Sequence, residues 1–263
     1  ISLPQTMQRI GEYAFKESGI ETIIIPSSVQ EIKENVFKHC KQLKRITVEN
    51  NNQVYSSDTT GALLNKGQTI LYQYPIGNEA TTYEVPNAVE TIKEYAFEKS
   101  NKLSKITIGK TVKTIEQYAF QSCYELNEFE VSTENTKYQS NEGVLFEENE
   151  EGKAITLIQY PSKKTNEKYY IPETVTTIKT LAFDNVTALK TIILSSQTTI
   201  IGEKAFNKLE NLIDLYYPST TPITQTNIIN ECSKAVVKIP LNQEYVTSEG
   251  YEFKQILTVG NCS

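Results

Sequence analysis

The sequence predicts a solenoid of stacked short repeats. One strand per repeat would align into a curved parallel sheet, with short helical or 3₁₀ turns on the other side. Three observations predict it. An Ile-to-Phe pair five residues apart recurs at Ile10/Phe15, Ile32/Phe37, Ile92/Phe97, Ile115/Phe120, Ile178/Phe183 and Ile201/Phe206. The anchor isoleucines are separated by 22, 60, 23, 63 and 23 residues, a period near 23 with two long gaps. Each long gap holds the same hairpin-like phrase, 59-TTGALLNKGQTILYQYP-75 and 141-NEGVLFEENEEGKAITLIQYP-161. Self-similarity at such a period marks a repeat architecture, in which each unit buries its apolar side only against its neighbours.

The elements follow in order. Within a repeat, 103-LSKITI-108 alternates with period two and reads as a strand. The stretch 92-IKEYAFEKSNKL-103 places Ile92, Ala96, Phe97 and Leu103 at near-helical spacing, which predicts a short helical or 3₁₀ turn. The two insertions, at about 49–84 and 132–170, read as β-hairpins, with Tyr74 and Tyr160 equivalently placed to anchor them on the stack. Residues 1-ISLPQTM-7 resemble 23-IIIPSSV-29, so the chain is expected to start inside a repeat, as a fragment or with its first strand as an exposed edge. After Pro218 the pattern lapses, and 219–263 is expected to cap residues 1–218, with a last strand at 235-AVVKIP-240 and a short closing helix over 241–253.

A period near 23 lies in the leucine-rich repeat range. The phrase Val-x-x-Ile-x-x-x-Ala-Phe-x-x-Cys-x-x-Leu-x-x-Ile-x-Ile-Pro resembles the BspA-like leucine-rich repeats of microbial surface proteins, bacterial or trichomonad-type. Segments 29-VQEIKENVFKHCKQLKRITV-48 and 112-VKTIEQYAFQSCYELNEFEV-131 carry it nearly position by position. The resemblance implies a leucine-rich repeat solenoid at the cell surface or secreted. It also implies a non-catalytic role in adhesion, with host matrix or plasma proteins as partners. A structural spacer within a larger repeat-containing surface protein is the alternative.

Composition narrows the function classes. The chain has 263 residues, a net charge of −6, and only 38% hydrophobic residues, low for a globular protein and suited to a thin core. No basic run is present to track phosphates, so nucleic acid is not expected. No apolar stretch approaches the roughly 18 residues that span a bilayer, so no membrane insertion by this segment is expected.

Chemistry is sparse as well. His39 is the one histidine, set in a variable turn slot, and reads as an exposed loop residue. No nucleophile triad, zinc spacing or phosphate-cradling glycine motif can be assembled, so no catalytic residue, metal site or cofactor is expected. The acidic run 147-EENEEGK-153 reads as a solvated hairpin tip.

Cys40 and Cys123 follow the repeat Phe by three residues and face the core as buried thiols. Cys232 and Cys262 fall in the cap. If the chain is exported, a Cys232–Cys262 disulfide would tie its last residues to the stack. In a reducing compartment the two would remain thiols.

With isoleucines inward, the outward strand positions are Thr22/Ile24, Arg45/Thr47, Lys105/Thr107, Glu128/Glu130, Thr191/Ile193 and Asp214/Tyr216. They would form two rows along a concave face. Their mixed charge and exposed Ile and Tyr suit a protein or glycan ligand.

Overall fold

The structure, a computed structural model, describes residues 1–219 and 227–240, the pairs 246–247 and 250–251, and 253–258. It comprises two compact units, residues 1–126 with 130–135, and residues 127–129 with 136–263. Each is a stack of repeats, and the described residues contain no helix.

Where short helical turns are expected, the chain instead makes paired tight turns around each repeat phenylalanine. In 92–103, Tyr95 and Lys99 both take left-handed backbone, at φ 59°. The same two positions flank the other repeats, at Tyr13/Glu17, Asn35/His39, Tyr118/Ser122, Leu181/Asn185 and Lys204/Lys208. An L-residue helix cannot run through such positions. The turned backbone sends alternate N–H groups sideways: Phe97 N–H donates to Ala119 O at 2.8 Å and Lys99 N–H to Gln121 O at 2.9 Å. Each repeat is thereby stitched to the next along the phenylalanine edge as well as along its strands.

In the first unit, Thr22–Ile25 pairs in parallel with Arg45–Val48, and Thr82–Glu84 with Lys105–Ile108. These strands alternate exposed and buried residues, which places Ile23, Ile25, Ile46 and Ile106 in the core. The anchor isoleucines form a second ladder, Arg9–Ile10 with Glu31–Ile32, and Ile70–Gln73 with Thr91–Ile92 and Thr114–Ile115.

Each insertion is a three-stranded meander rather than a free hairpin. Tyr55–Ser57, Leu63–Asn65 and Ile70–Gln73 run antiparallel in the first, and Tyr138–Asn141, Val144–Glu148 and Ala154–Gln159 in the second. The last strand of each joins the anchor ladder in parallel, as Leu71 opposite Ile92 and Leu157 opposite Ile178. The meander therefore ends as a rung of the stack.

Gln-Tyr-Pro completes that rung. Tyr74 takes the place of a repeat phenylalanine: its ring stacks on Phe97 at 5.6 Å, Phe97 stacks on Phe120 at 5.4 Å, and Tyr74 N–H donates to Ala96 O at 2.7 Å. Tyr160, Phe183 and Phe206 repeat the column at 5.2 and 5.3 Å. The preceding Gln73 donates its amide to Tyr74 O at 2.9 Å and to Ala96 O at 3.3 Å, fixing the same turn. Both tyrosines are fully buried, so they hold the meanders on the stack as their equivalent placement predicts.

The second unit carries the ladder Lys168–Tyr170, Thr191–Ile193, Asp214–Tyr216 and Val236–Pro240, all parallel. Phe253–Thr258 closes it antiparallel to Val236–Pro240. The expected strand at 235–240 is present. Of the expected closing helix over 241–253, residues 241–245, 248–249 and 252 lie outside the described residues, and the described ones are strand, with Val246–Thr247 antiparallel to Gly250–Tyr251.

Repeat geometry also continues beyond Pro218. Ile229–Asn230 pairs in register with Phe206–Asn207, flanked by left-handed Asn227 and Glu231. Asn230 donates to Asn207 Oδ1 and Asn207 to Asp184 Oδ1, each at 2.6 Å. Ile229 thus occupies a phenylalanine position, and Cys232 falls three residues after it, as Cys40 and Cys123 do after theirs. All three thiols are buried and approach a carbonyl of the preceding repeat, Phe15, Phe97 and Phe206 respectively. Cys232 therefore belongs with the repeat cysteines. Cys262, its expected disulfide partner, lies outside the described residues.

Candidate functional site

The outward strand positions sit where the alternation places them. Thr22, Ile24, Arg45, Thr47 and Glu130 are exposed, and Lys105, Thr107, Glu128, Thr191, Ile193, Asp214 and Tyr216 are half-buried. They do not share one continuous ladder. In the first unit Ile46 N–H donates to Gly61 O at 3.0 Å, so the meander turn occupies the edge of Arg45–Val48 where the next repeat strand would pair. Arg45 is engaged by that turn, donating to Thr59 O at 2.8 Å. In the second unit Gly143 O accepts the Phe129 N–H at 2.9 Å, beside Glu128. Gly61 and Gly143 both have positive φ, 91° and 78°, and a Cβ on either would stand within 3 Å of Arg45 or Glu128 atoms. Close approach of the backbone requires glycine here.

The outward strand positions of the two units differ in chemistry. In the first unit the face is polar and internally paired: Lys105 meets Glu130 at 2.9 Å, and Thr107 donates to Glu130 at 3.3 Å. The hydrogen bond from Lys105, then its charge and the Thr107 hydroxyl, hold the Glu130 carboxyl below the usual range. Similar lysine–glutamate pairs join neighbouring repeats at Glu21/Lys44, Glu90/Lys113 and Glu167/Lys190. Exposed pairs of this kind contribute little to stability.

In the second unit the face carries a row of large side chains. Register aligns Tyr170 with Ile193, Ile193 with Tyr216, and Tyr216 with Lys238. Tyr170 is 60% exposed. Lys168 stands over the Tyr170 ring at 4.7 Å and Lys238 over the Tyr216 ring at 4.9 Å, so a cation flanks each aromatic. Lys238 also pairs with Asp214 at 2.6 Å. Desolvation works against the Lys238 charge, but the hydrogen bonds and charges of Asp214 and Tyr216 outweigh it and raise its pKa.

Of the expected positions, Ile193 and Tyr216 fall in this row, and Asp214, aligned with Thr191 in the neighbouring one, reaches it through Lys238. The expectation omits Tyr170, because the strand Lys168–Tyr170 follows a meander and lacks the Leu-x-x-Ile lead of an ordinary repeat strand. The available signal is the buried–exposed alternation of Tyr169 and Tyr170 beside the Gln-Tyr-Pro landmark. His39 is also misplaced by the sequence reading. It is half-buried rather than an exposed loop residue, with Nε2 3.2 Å from the buried Glu98 carboxylate and 2.7 Å from Lys99 Nζ.

Comparison with known proteins agrees with the repeat geometry. The BspA type leucine-rich repeat region matches residues 1–60, 76–165 and 153–260, in six copies. No curated protein matches the chain. Among solved structures, a leucine-rich repeat protein from Eubacterium ventriosum is 24% identical with a TM-score of 0.55, covering 91% of this chain and 53% of its own. A leucine rich cell surface protein from Faecalibacterium prausnitzii is 20% identical with a TM-score of 0.55, covering 89% and 73%. The pneumococcal vaccine antigen PcpA is 18% identical with a TM-score of 0.57, covering 91% and 62%. The chain thus spans about half the length of the Eubacterium ventriosum protein. At these identities the likeness concerns the fold.

Proposed function

Because the chain belongs to the BspA-type leucine-rich repeat family, we propose that it is a non-catalytic recognition module of a cell surface, binding a protein ligand through the sheet face of Lys168–Tyr170, Thr191–Ile193 and Asp214–Tyr216. The observation that carries this reading is the Tyr170–Ile193–Tyr216 row. It sets two amphipathic rings and an aliphatic side chain on adjacent strands, about 4.8 Å apart, with a lysine at each ring. Tyrosine brings large contact area at low entropy cost and is enriched where binding energy concentrates. A preformed sheet loses little freedom on binding. Surface placement is supported by the description of the Faecalibacterium prausnitzii relative as a cell surface protein. Adhesion to host matrix or plasma proteins is the specific form of the proposal.

The test is binding of the purified chain to tethered matrix proteins, plasma proteins and glycans at physiological salt. A saturable protein ligand should be found, and Tyr170→Ala with Tyr216→Ala should weaken it by about 2–4 kcal/mol, the range of interface anchors. The charge reversal Lys105→Glu with Glu130→Lys, in the polar face of the first unit, should change it far less. Absence of any ligand across the panel would replace this reading with a spacer role.

A further inference from the structure

A second surface, on the anchor-isoleucine side of the first unit, is left open by the meander. Ile70–Gln73 is paired on both edges, with Leu63–Asn65 and with Thr91–Ile92. It has no edge to offer Glu31–Ile32, whose sheet contains only Arg9–Ile10 besides itself. The aromatic column breaks at the same level: Phe37 stacks back on Phe15 at 5.8 Å, while Tyr74 starts the next column. Tyr55 Oη accepts the Ile32 N–H at 2.9 Å, standing in for the missing strand's carbonyl. Between the two sets of rungs lies a cleft of about 380 Å³. That volume is within the range of about 300–1,000 Å³ typical of ligand sites.

The floor of the cleft is apolar and aromatic, built from Phe37, Tyr55, Leu63, Tyr72 and Ile76. Five glutamates and three lysines also line it, with Glu98 buried and Glu34 and Glu94 exposed. Lys33 is paired with Glu31, and Lys93 with Glu116 at 2.5 Å. Lys38 stands 4.4 Å over the Tyr95 ring, so a cation already rests on an aromatic face at the mouth. His39 lies against Glu98 at 3.2 Å. Glu34 and Glu94 also line the cleft, and no ion pair joins either to a cation among the described residues.

We propose that this cleft binds an extended basic peptide. A lysine or arginine side chain would lay its aliphatic stem on the aromatic floor and take Glu34 and Glu94 as counter-charges, while the peptide backbone donates an N–H to the Ile32 carbonyl, the Ile32 N–H being already taken by Tyr55. That main-chain contact positions the peptide, and the apolar and acidic lining supplies side-chain selectivity. Charge complementarity selects this occupant. An acidic or nucleotide ligand meets the glutamate excess as repulsion. An uncharged sugar would desolvate two carboxylates without compensating them. A bare cation would leave the apolar floor uncovered. The site shares no residue with the Tyr170–Ile193–Tyr216 row, so either can fail without the other.

Calorimetric titration with blocked hexapeptides tests it, using alternating valine–lysine, valine–glutamine and valine–glutamate sequences, and hexalysine. The valine–lysine peptide should bind once per chain and at least about tenfold tighter than the valine–glutamine peptide, with valine–glutamate silent and hexalysine weaker. The double variant Glu34→Gln, Glu94→Gln should lose that tenfold preference while its circular dichroism and thermal midpoint stay unchanged. Tyr170→Ala with Tyr216→Ala should leave the titration as it is. Equal binding of the lysine and glutamine peptides, hexalysine as tight as valine–lysine, an unaffected glutamate variant, or no saturable binding would each overturn the proposal.

Discussion

Tyr74 and Tyr160 show how one residue can be chosen for a position and still carry a cost. Their rings are needed, because they extend the phenylalanine columns. Their hydroxyls are buried and find no hydrogen-bond partner among the described residues. Burying an unsatisfied hydroxyl costs about 1–3 kcal/mol. Tyr160→Phe keeps the ring on Phe183 and removes the orphaned oxygen, so denaturant unfolding should show a gain of about 1 kcal/mol. A loss of that size would mean that the hydroxyl is satisfied. Burial raises the pKa of Tyr160, and burial followed by the charges of Tyr160 and Glu142 raises that of Tyr169, both above the ordinary 10.0. The sign follows: the unfolded chain loses these protons first, so their contribution is complete below pH 10.0 and falls as pH rises beyond it. Tyr160→Phe should make that alkaline decline shallower.

At the scale of elements, the meanders both extend and interrupt the stack. Their third strands add a rung to the anchor ladder, and their glycine turns take up the strand edge on the face side. Gly143→Ala should be costly twice over, since its φ is 78° and its Cβ would stand 2.9 Å from that of Glu128. Gly152, at φ 73° with open space around it, meets only the conformational part. Gly152→Ala is therefore expected to lose about 1–2 kcal/mol, and Gly143→Ala about 1–3 kcal/mol more from the overlap, read from thermal or denaturant midpoints. Equal losses would show that the Glu128 contact gives way freely. The period, the strands and the Gln-Tyr-Pro landmark are legible in the sequence because each rests on side-chain type. The absence of helix is not, because the left-handed positions beside each phenylalanine hold Tyr, Glu, Asn, His, Lys, Ser and Leu rather than glycine. The rung at Ile229 is hidden likewise, with only Cys232 keeping its place.

At the scale of the whole molecule, the function proposed depends on what the repeats leave uncovered. Alternation alone assigns Ile193 and Tyr216 to the outer face, but the row they form is completed by Tyr170 from a strand that departs from the repeat phrase. The cleft beside Glu31–Ile32 exists only because a meander strand has both edges occupied, a consequence of pairing that no local pattern announces. Hydroxyl-radical footprinting of the chain, free and bound to the tightest protein ligand from the tethered panel, tests the central claim most directly. Tyr13, 45% exposed and remote in sequence from the row, serves as the internal reference. Recognition through the sheet face predicts that Tyr170 and Tyr216 are oxidised in the free chain and protected in the complex while Tyr13 stays reactive. Unchanged oxidation of Tyr170 and Tyr216 in a saturated complex would contradict it.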